Sequence, residues 1–205
     1  MNFLARRVGS WLGLWLSQPH HNHGASLPTR LELLEKTLQP GDVLLVEGET
    51  RVSVAIKYLT QSTWSHAALF IGDAAGCNGP NGTPLSFVEA DIIEGVRLVK
   101  LSEFDGLYCR ICRPIGLSDE DRQRIIDYGL ARVGQQYDLK NVFDLARYLI
   151  PTPPVPQRWR RRMLALGSGD PTRAICSTLI AHCFQSVSYP ILPDIELRAT
   201  DRQDC

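Results

Sequence analysis

The chain is 205 residues long and 44% hydrophobic, which is enough to bury one core and short for two. Its 22 basic and 22 acidic residues balance, so no global charge attracts nucleic acid. An aromatic content of 8% is ordinary for a globular domain and excludes wholesale disorder.

The first segment, residues 1–19, joins two arginines to a short apolar run that contains two tryptophans. This order imitates a signal peptide, but no A-x-A cleavage site follows, and the run is too short to span a bilayer. Its apolar residues share one face of a helix, which can lie on a membrane through residues 3–16 or pack on its own domain. We therefore interpret residues 1–39 as an amphipathic helix and linker. We expect a cytoplasmic protein or one peripheral to the inner membrane, and the signal-like start leaves export open.

Three histidines, His20, His21 and His23, follow in a polar stretch. No further ligand set lies near them in the sequence, so a polar loop is a better interpretation than a metal site. Residues 29–38 then show the apolar spacing of a helix, which the Pro-Gly pair at 40–41 ends.

From residue 40 the pattern changes to short apolar runs separated by turn residues. One short helix is predicted at 52–61. The predicted strands cover residues 42–48, 65–72, 86–92, 95–101 and 107–113. Because these strands follow one another without long helices between them, we expect an antiparallel sheet.

The second half of the chain is predicted to be helical, which makes the fold class α+β with one domain over residues 40–205. The first helix begins at a good capping residue, Ser118, and has an acidic first turn. The remaining predictions are a helix at 138–150, a proline-rich spacer at 151–156, a basic segment at 157–164 and an apolar helix at 175–187. No closing element is visible before residue 205, so we leave open that the domain is incomplete at its C-terminus.

Cys176 is the candidate nucleophile. Start signals at 170–172 place it where the last helix is predicted to begin, and a helix N-terminus lowers the pKa of a thiol. A neighbouring histidine lowers that pKa further and makes the thiolate available. Cys183 falls inside the same helix and is expected to be a buried packing thiol.

His66 is the candidate base, because it opens an otherwise apolar strand. Glu89 lies among apolar residues of the next strand, where a charge is costly unless it is paired. A hairpin connection can bring the two side chains together on one face, so that the carboxylate orients the imidazole. Asp91 lies on the same strand face and is the reserve choice for the orienting residue.

Four segments in a fixed order resemble the YiiX/YebB-like branch of the NlpC-type papain-like superfamily. They are GDVLL with TWSHAALFIG, VEA, GQQYDLKNVFDLARYL and ICSTLIAHCF, and they span about residues 40–187. The resemblance implies a circularly permuted papain-like fold, in which the order is His66, Glu89 and then Cys176. It also implies that the cysteine heads a helix packed on the antiparallel sheet. Tyr137 of GQQYD resembles a tyrosine on the substrate and oxyanion side of such sites.

The activity that this resemblance implies is a thiol hydrolase with a Cys-His-Glu triad and a thioester intermediate. Its substrate would be a peptide or a lipid-like small molecule, cut at an amide bond (peptide or isopeptide, cell-wall peptide among them) or at an ester bond. No metal or cofactor is needed, and no nucleic acid is expected as a partner. A membrane-associated acyltransferase and a non-catalytic lipid-binding scaffold stay open as alternatives. The basic run at 158–162 would suit the scaffold, although a solvated helix face explains it more simply.

The six cysteines have irregular spacing and do not match a disulfide framework, so we expect reduced thiols. Cys109 and Cys112 form a C-x-x-C, which raises a metal-binding module as a further hypothesis. On a strand, residues three apart point to opposite faces, and no second C-x-x-C follows. The other thiols and histidine available as ligands would be Cys176, His182, Cys183 and Cys205. A zinc site is therefore the weaker interpretation.

Overall fold

The computed structural model describes residues 27–79, 82–91, 94–136 and 175–191. The elements in chain order are α1 (Leu31–Thr37), β1 (Val43–Glu47), α2 (Arg51–Thr60), β2 (His66–Phe70), β3 (Phe87–Asp91), β4 (Gly95–Val99), a 3-10 helix (Leu101–Phe104), β5 (Tyr108–Cys112), α3 (Asp119–Leu130) and α4 (Ile175–Gln185). Each strand and helix predicted within these ranges is present. The 3-10 helix was not predicted, and it begins where the predicted fourth strand was expected to end.

The five strands form one antiparallel sheet in the order β4-β3-β2-β1-β5. The antiparallel sheet and the α+β class are confirmed. Because β2 and β3 are neighbours at the centre of the strand order, residues at the start of β2 and the end of β3 lie at one end of the sheet.

Each face of the sheet is covered by different helices, because alternate side chains along a strand point to opposite faces. On one face, Leu69 and Val88 pack with α3 and α4. On the other face, Ala68 and Phe87 pack with α1 and the 3-10 helix. Phe87 contacts Phe104 edge to face, with 4.9 Å between the ring centroids. Both faces are therefore buried cores.

Helix α1 is part of this fold. Leu34 and Leu38 are buried in the second of these cores, and the N–H of Thr29 bonds to the carbonyl of Leu107 at 3.0 Å. The packed structure thus reaches into residues 1–39, which the sequence analysis treated as an amphipathic helix and linker.

Helices α2 and α3 both begin at a side-chain cap, and the cap of α3 is the predicted Ser118. The hydroxyl of Ser118 accepts the N–H of Asp121 at 3.1 Å and caps α3, and Thr50 caps α2 in the same way through the N–H of Ser53. Such caps satisfy N–H groups that the first helical turn leaves unpaired.

The edge of the sheet at β4 is covered by residues 134–136. The N–H of Gly134 bonds to the carbonyl of Val96 at 2.8 Å, and the N–H of Val96 bonds to the carbonyl of Gln135 at 2.9 Å. Gly95 permits this approach, since it has a φ of 78° and a Cβ there would lie 2.2 Å from the Gln135 oxygen. The start of the GQQYD motif is thereby fixed next to β4.

Several predictions concern residues outside the described ranges. They are the amphipathic helix with residues 3–16, the histidines His20, His21 and His23, the candidate Tyr137, the segments at 138–150, 151–156 and 157–164, the run at 158–162, and Cys205. Within the ranges that are described, no helix is long and apolar enough to cross a membrane.

Candidate active site

The structure brings His66 and Glu89 together through the register of β2 and β3. Ala68 pairs with Glu89, and a step of two residues along β2 puts His66 on the same face, diagonal to Glu89. The imidazole Nε2 lies 2.8 Å from Glu89 Oε2. The Glu89 side chain is only 6% exposed, so a charged carboxylate there requires partners of this kind.

Cys176 completes the group from helix α4. Its side chain is buried in the core cluster with Ala67 and is hydrogen-bonded to the imidazole of His66. Because Glu89 occupies Nε2, Nδ1 is the ring nitrogen left for the sulfur. Cys176 and Glu89 belong to opposite faces of the sheet, and they meet at His66 because this residue begins β2 at the end of the sheet.

The electrostatics favour a thiolate beside an imidazolium. Burial alone would lower the pKa of His66, but the hydrogen bonds and negative charges of Cys176 and Glu89 raise it to about 10. Burial alone would raise the pKa of Cys176, but the hydrogen bond and positive charge of His66 lower it below the ordinary thiol value. Backbone groups of Ala67 and Ser177 add to this lowering.

Glu89 is held ionised by two cations. Burial would raise its pKa, yet the hydrogen bond and charge of His66, together with Arg97, lower it. Arg97 pairs with Glu89 in the register of β3 and β4, and its Nε lies 2.9 Å from Glu89 Oε1. Arg97 was not predicted from the sequence. The available signal was an arginine within the apolar run GVRLV, which suggests a partner for its charge.

Asp91 was the reserve choice for the orienting residue. Its Oδ1 accepts the N–H of Glu94 at 2.9 Å, in the turn that follows β3. The Glu89 carboxylate lies within hydrogen-bonding distance of the imidazole, as expected for the first choice.

The other described cysteines lie in different surroundings. Cys183 is fully buried in the core between the sheet and helices α3 and α4, as predicted for a packing thiol. Burial raises its pKa to about 11. Burial likewise raises the pKa of Cys109 to about 11. Cys109 and Cys112 pack against opposite faces of the sheet, so the two thiols do not face a common ligand.

Two aromatic side chains flank the same end of the sheet. Trp64 precedes His66 by two residues, and Tyr108 begins β5. Their rings stack with 5.4 Å between centroids, and Tyr108 is 38% exposed. This stack provides an apolar surface at the end of the sheet that holds His66.

In the part of the chain that the structure describes, no group of three or more His, Cys, Asp or Glu residues could hold a metal ion. Tyr137, the candidate for the oxyanion side, lies just beyond the described residues 134–136.

Comparison with known families gives a match over more than half of the chain. A family model described as permuted papain-like amidase enzyme, YaeF/YiiX, C92 family, matches residues 37–148. The matched range contains His66, Glu89 and Tyr137 and ends before Cys176. No curated protein matches the chain.

Proposed function

The chain belongs to the permuted papain-like amidase family and is a cysteine hydrolase, and from this premise we propose that Cys176, His66 and Glu89 form its catalytic triad. The observation that supports the proposal most strongly is the buried Cys176 thiol, whose pKa is lowered by contact with the His66 imidazole. A buried thiol without such a partner has a raised pKa, as Cys183 does.

In the resting enzyme of this proposal the proton has already moved from Cys176 to His66. The pKa of the thiol lies below its ordinary value and that of His66 is raised to about 10, and both shifts favour the thiolate–imidazolium pair. Glu89 binds Nε2–H and keeps the ring oriented with Nδ1 toward the sulfur.

Acylation begins when the Cys176 thiolate attacks the carbonyl carbon and a C–S bond forms. The oxyanion is stabilised by backbone N–H groups at the N-terminus of the helix that carries Cys176, and the family resemblance assigns Tyr137 a role in the same stabilisation. The C–N bond then breaks, and the His66 imidazolium gives its proton to the leaving amine. The products are a thioester, the free amine and a neutral imidazole.

Deacylation returns the resting state. The neutral His66 takes a proton from water, whose oxygen attacks the thioester carbon. The C–S bond breaks, the carboxylic acid leaves, and the thiolate and imidazolium are restored. The cycle converts the amide and one water into a carboxylic acid and an amine, and all of its proton transfers pass through His66.

The substrate class that fits best is a peptide or isopeptide amide, with cell-wall peptides among the candidates. The family description supports amide chemistry, and the stack of Trp64 and Tyr108 offers an apolar surface for one side of the substrate. An ester with the same acyl group would follow the same steps. A scaffold without catalysis is disfavoured, because it would have no need of a lowered thiol pKa. An acyltransferase would differ only in its acceptor.

A set of matched substrates tests the proposal. One acyl group would be joined to the same leaving unit as a peptide amide, as a lysine isopeptide and as an ester. Acid quench during turnover, followed by mass spectrometry of proteolytic peptides, should find the acyl mass on the peptide that contains Cys176. Turnover should fall by at least about 1,000-fold in Cys176→Ser and persist in Cys183→Ser, its matched control on the same helix.

Two results would count against this assignment. Turnover that survives in Cys176→Ser would remove the nucleophile, and an acyl adduct on a different cysteine would reassign it. Partition of the acyl group to an added amine in preference to water would replace the hydrolase with an acyltransferase.

A further inference from the structure

The two carboxylate oxygens of Glu89 are divided between two partners. Oε2 lies 2.8 Å from His66 Nε2, while Oε1 lies 2.9 Å from Arg97 Nε and 2.8 Å from Arg97 Nη2. A carboxylate that is held at both oxygens cannot rotate about its side-chain bond without losing one of these contacts. Its plane, and therefore the direction from which it accepts the imidazole N–H, is fixed by Arg97.

Arg97 is itself anchored on its outer side. Its Nη1 lies 2.8 Å from Oε2 of Glu94, which is 61% exposed, and the Arg97 side chain is 36% exposed. The charged groups that act on the Glu89 carboxylate are His66 from β2 and Arg97 from β4. Arg97 in turn interacts with Glu94 and with Asp91 at the end of β3, and His66 interacts with Cys176. This arrangement is a chain of contacts from the solvent-facing turn to the thiol.

We propose that Arg97 is a positioning residue of the active site, which fixes the Glu89 carboxylate and so orients His66 toward Cys176. The inference rests on the triad proposed above and adds a fourth member to it. Arg97 does not touch the reacting atoms, and its effect reaches the thiol through Glu89 and His66. The guanidinium suits this role because its planar fork contacts a carboxylate through two N–H groups, which the single ammonium of lysine cannot do.

Two consequences of this role can be separated. Arg97 supplies a positive charge, and removal of that charge makes the Glu89 carboxylate less stable, so the pKa of Glu89 rises. A less stable carboxylate supports the His66 imidazolium less well, and through His66 the Cys176 thiolate. Arg97 also supplies a geometry, and loss of the fork leaves Glu89 free to rotate. A lysine keeps the first property and loses the second.

The charge is tested with Arg97→Met, through the pH dependence of Cys176 alkylation by iodoacetamide, which needs no substrate. A unit charge about 4 Å from a carboxylate is worth about three pKa units at an effective dielectric constant of about 20, and solvent screening and the path through His66 let only part of this reach the thiol. The lower limb of the alkylation profile is the pH range in which the rate rises as the thiolate forms. This limb should therefore move up by about half to one pH unit. Arg110→Met is the matched control, because Arg110 is exposed on β5 at the opposite edge of the sheet, and it should leave the limb in place.

The geometry is tested with Arg97→Lys. Its lower limb should stay near that of the unaltered chain, whereas kcat should fall by roughly threefold to tenfold with KM unchanged. Circular dichroism establishes which variants are folded. Where Arg97→Met is not folded, Arg97→Lys decides, and an unchanged kcat in that variant overturns the inference.

The outcomes distinguish this inference from the proposed function. If Cys176 of the unaltered chain shows no alkylation limb below the ordinary thiol range, the ion pair is absent and the triad fails together with the role of Arg97. If the limb is present but folded Arg97→Met leaves it unmoved, the triad stands and only the role of Arg97 is overturned.

Discussion

Helix α4 carries a buried thiol near each end, and the pKa values of the two thiols are shifted in opposite directions. Cys176 and Cys183 are seven residues apart, about two turns, and they are 6% and 0% exposed. Burial raises the pKa of Cys183 to about 11, and the charge of nearby Arg132 opposes this without reversing it. At Cys176 burial acts in the same direction, yet the imidazole of His66 reverses it.

This comparison shows that the reactivity of a thiol in this fold is decided by its contact partner and not by its depth. Desolvation penalises the thiolate at both positions. What differs is that one end of the helix meets the start of β2, where His66 lies, and the other meets the apolar packing around Gly129.

The largest expected effect comes from making Cys176 resemble Cys183. In His66→Ala the imidazolium is lost and burial remains, so the pKa of Cys176 should rise above its ordinary value. The rate constant of alkylation by iodoacetamide at pH 7 should then fall by at least about 100-fold. The matched control is His182→Ala, whose side chain is exposed on the same helix, and it should leave the rate unchanged. Equal rates in His66→Ala and the unaltered chain would show that the imidazole does not stabilise the thiolate.

A smaller effect on activity is expected when His66 still contacts Cys176 but no longer has a carboxylate partner. In Glu89→Gln the negative charge next to His66 is removed, and an imidazolium without it is less stable, so the pKa of His66 should fall from about 10. The upper limit of the pH–rate profile should move down in parallel, and kcat should fall by about tenfold. The matched change Asp91→Asn should move that limit much less, and a larger shift in this variant would make Asp91 the orienting residue.

The smallest effect on reactivity is expected at the other end of the helix. Cys183→Ala removes a buried sulfur and leaves a small cavity, so the free energy of unfolding should fall by about 1–2 kcal/mol. The alkylation rate of Cys176 should not change, since Cys183 contributes packing alone. Urea unfolding and alkylation of the same sample measure both quantities. A loss of Cys176 reactivity as large as that in His66→Ala would show that the two ends of the helix are not independent.

Much of the fold can be predicted from the sequence, because its elements are short and strongly patterned. The apolar runs around Leu44, Leu69 and Val88 are short and nearly continuous, as in strands that are buried on both faces, and Ser118 starts α3 as a capping residue should. His66 and Glu89 could be found because each is a polar residue in a run that is otherwise apolar. Cys176 could be found because it stands at the start of a predicted helix.

The remainder depends on strand register and on contacts across the sheet, which sequence patterns do not define. The choice between Glu89 and Asp91 required knowing that Ala68 pairs with Glu89. Arg97 was not found because its importance arises only when β4 is aligned with β3. The sequence placed residues 31–37 before the domain, since an amphipathic helix does not reveal which surface covers its apolar face.

The central claim is that Cys176 is a thiolate at neutral pH because it is paired with a protonated His66. The most direct test is the ultraviolet absorbance of thiolate, followed against pH in the unaltered chain and in Cys176→Ser. The difference between the two titrations isolates this one sulfur. We predict that the difference begins well below the ordinary thiol pKa of about 8.5 and is already present at about pH 7. A difference that appears only above about pH 8.5 would contradict the account.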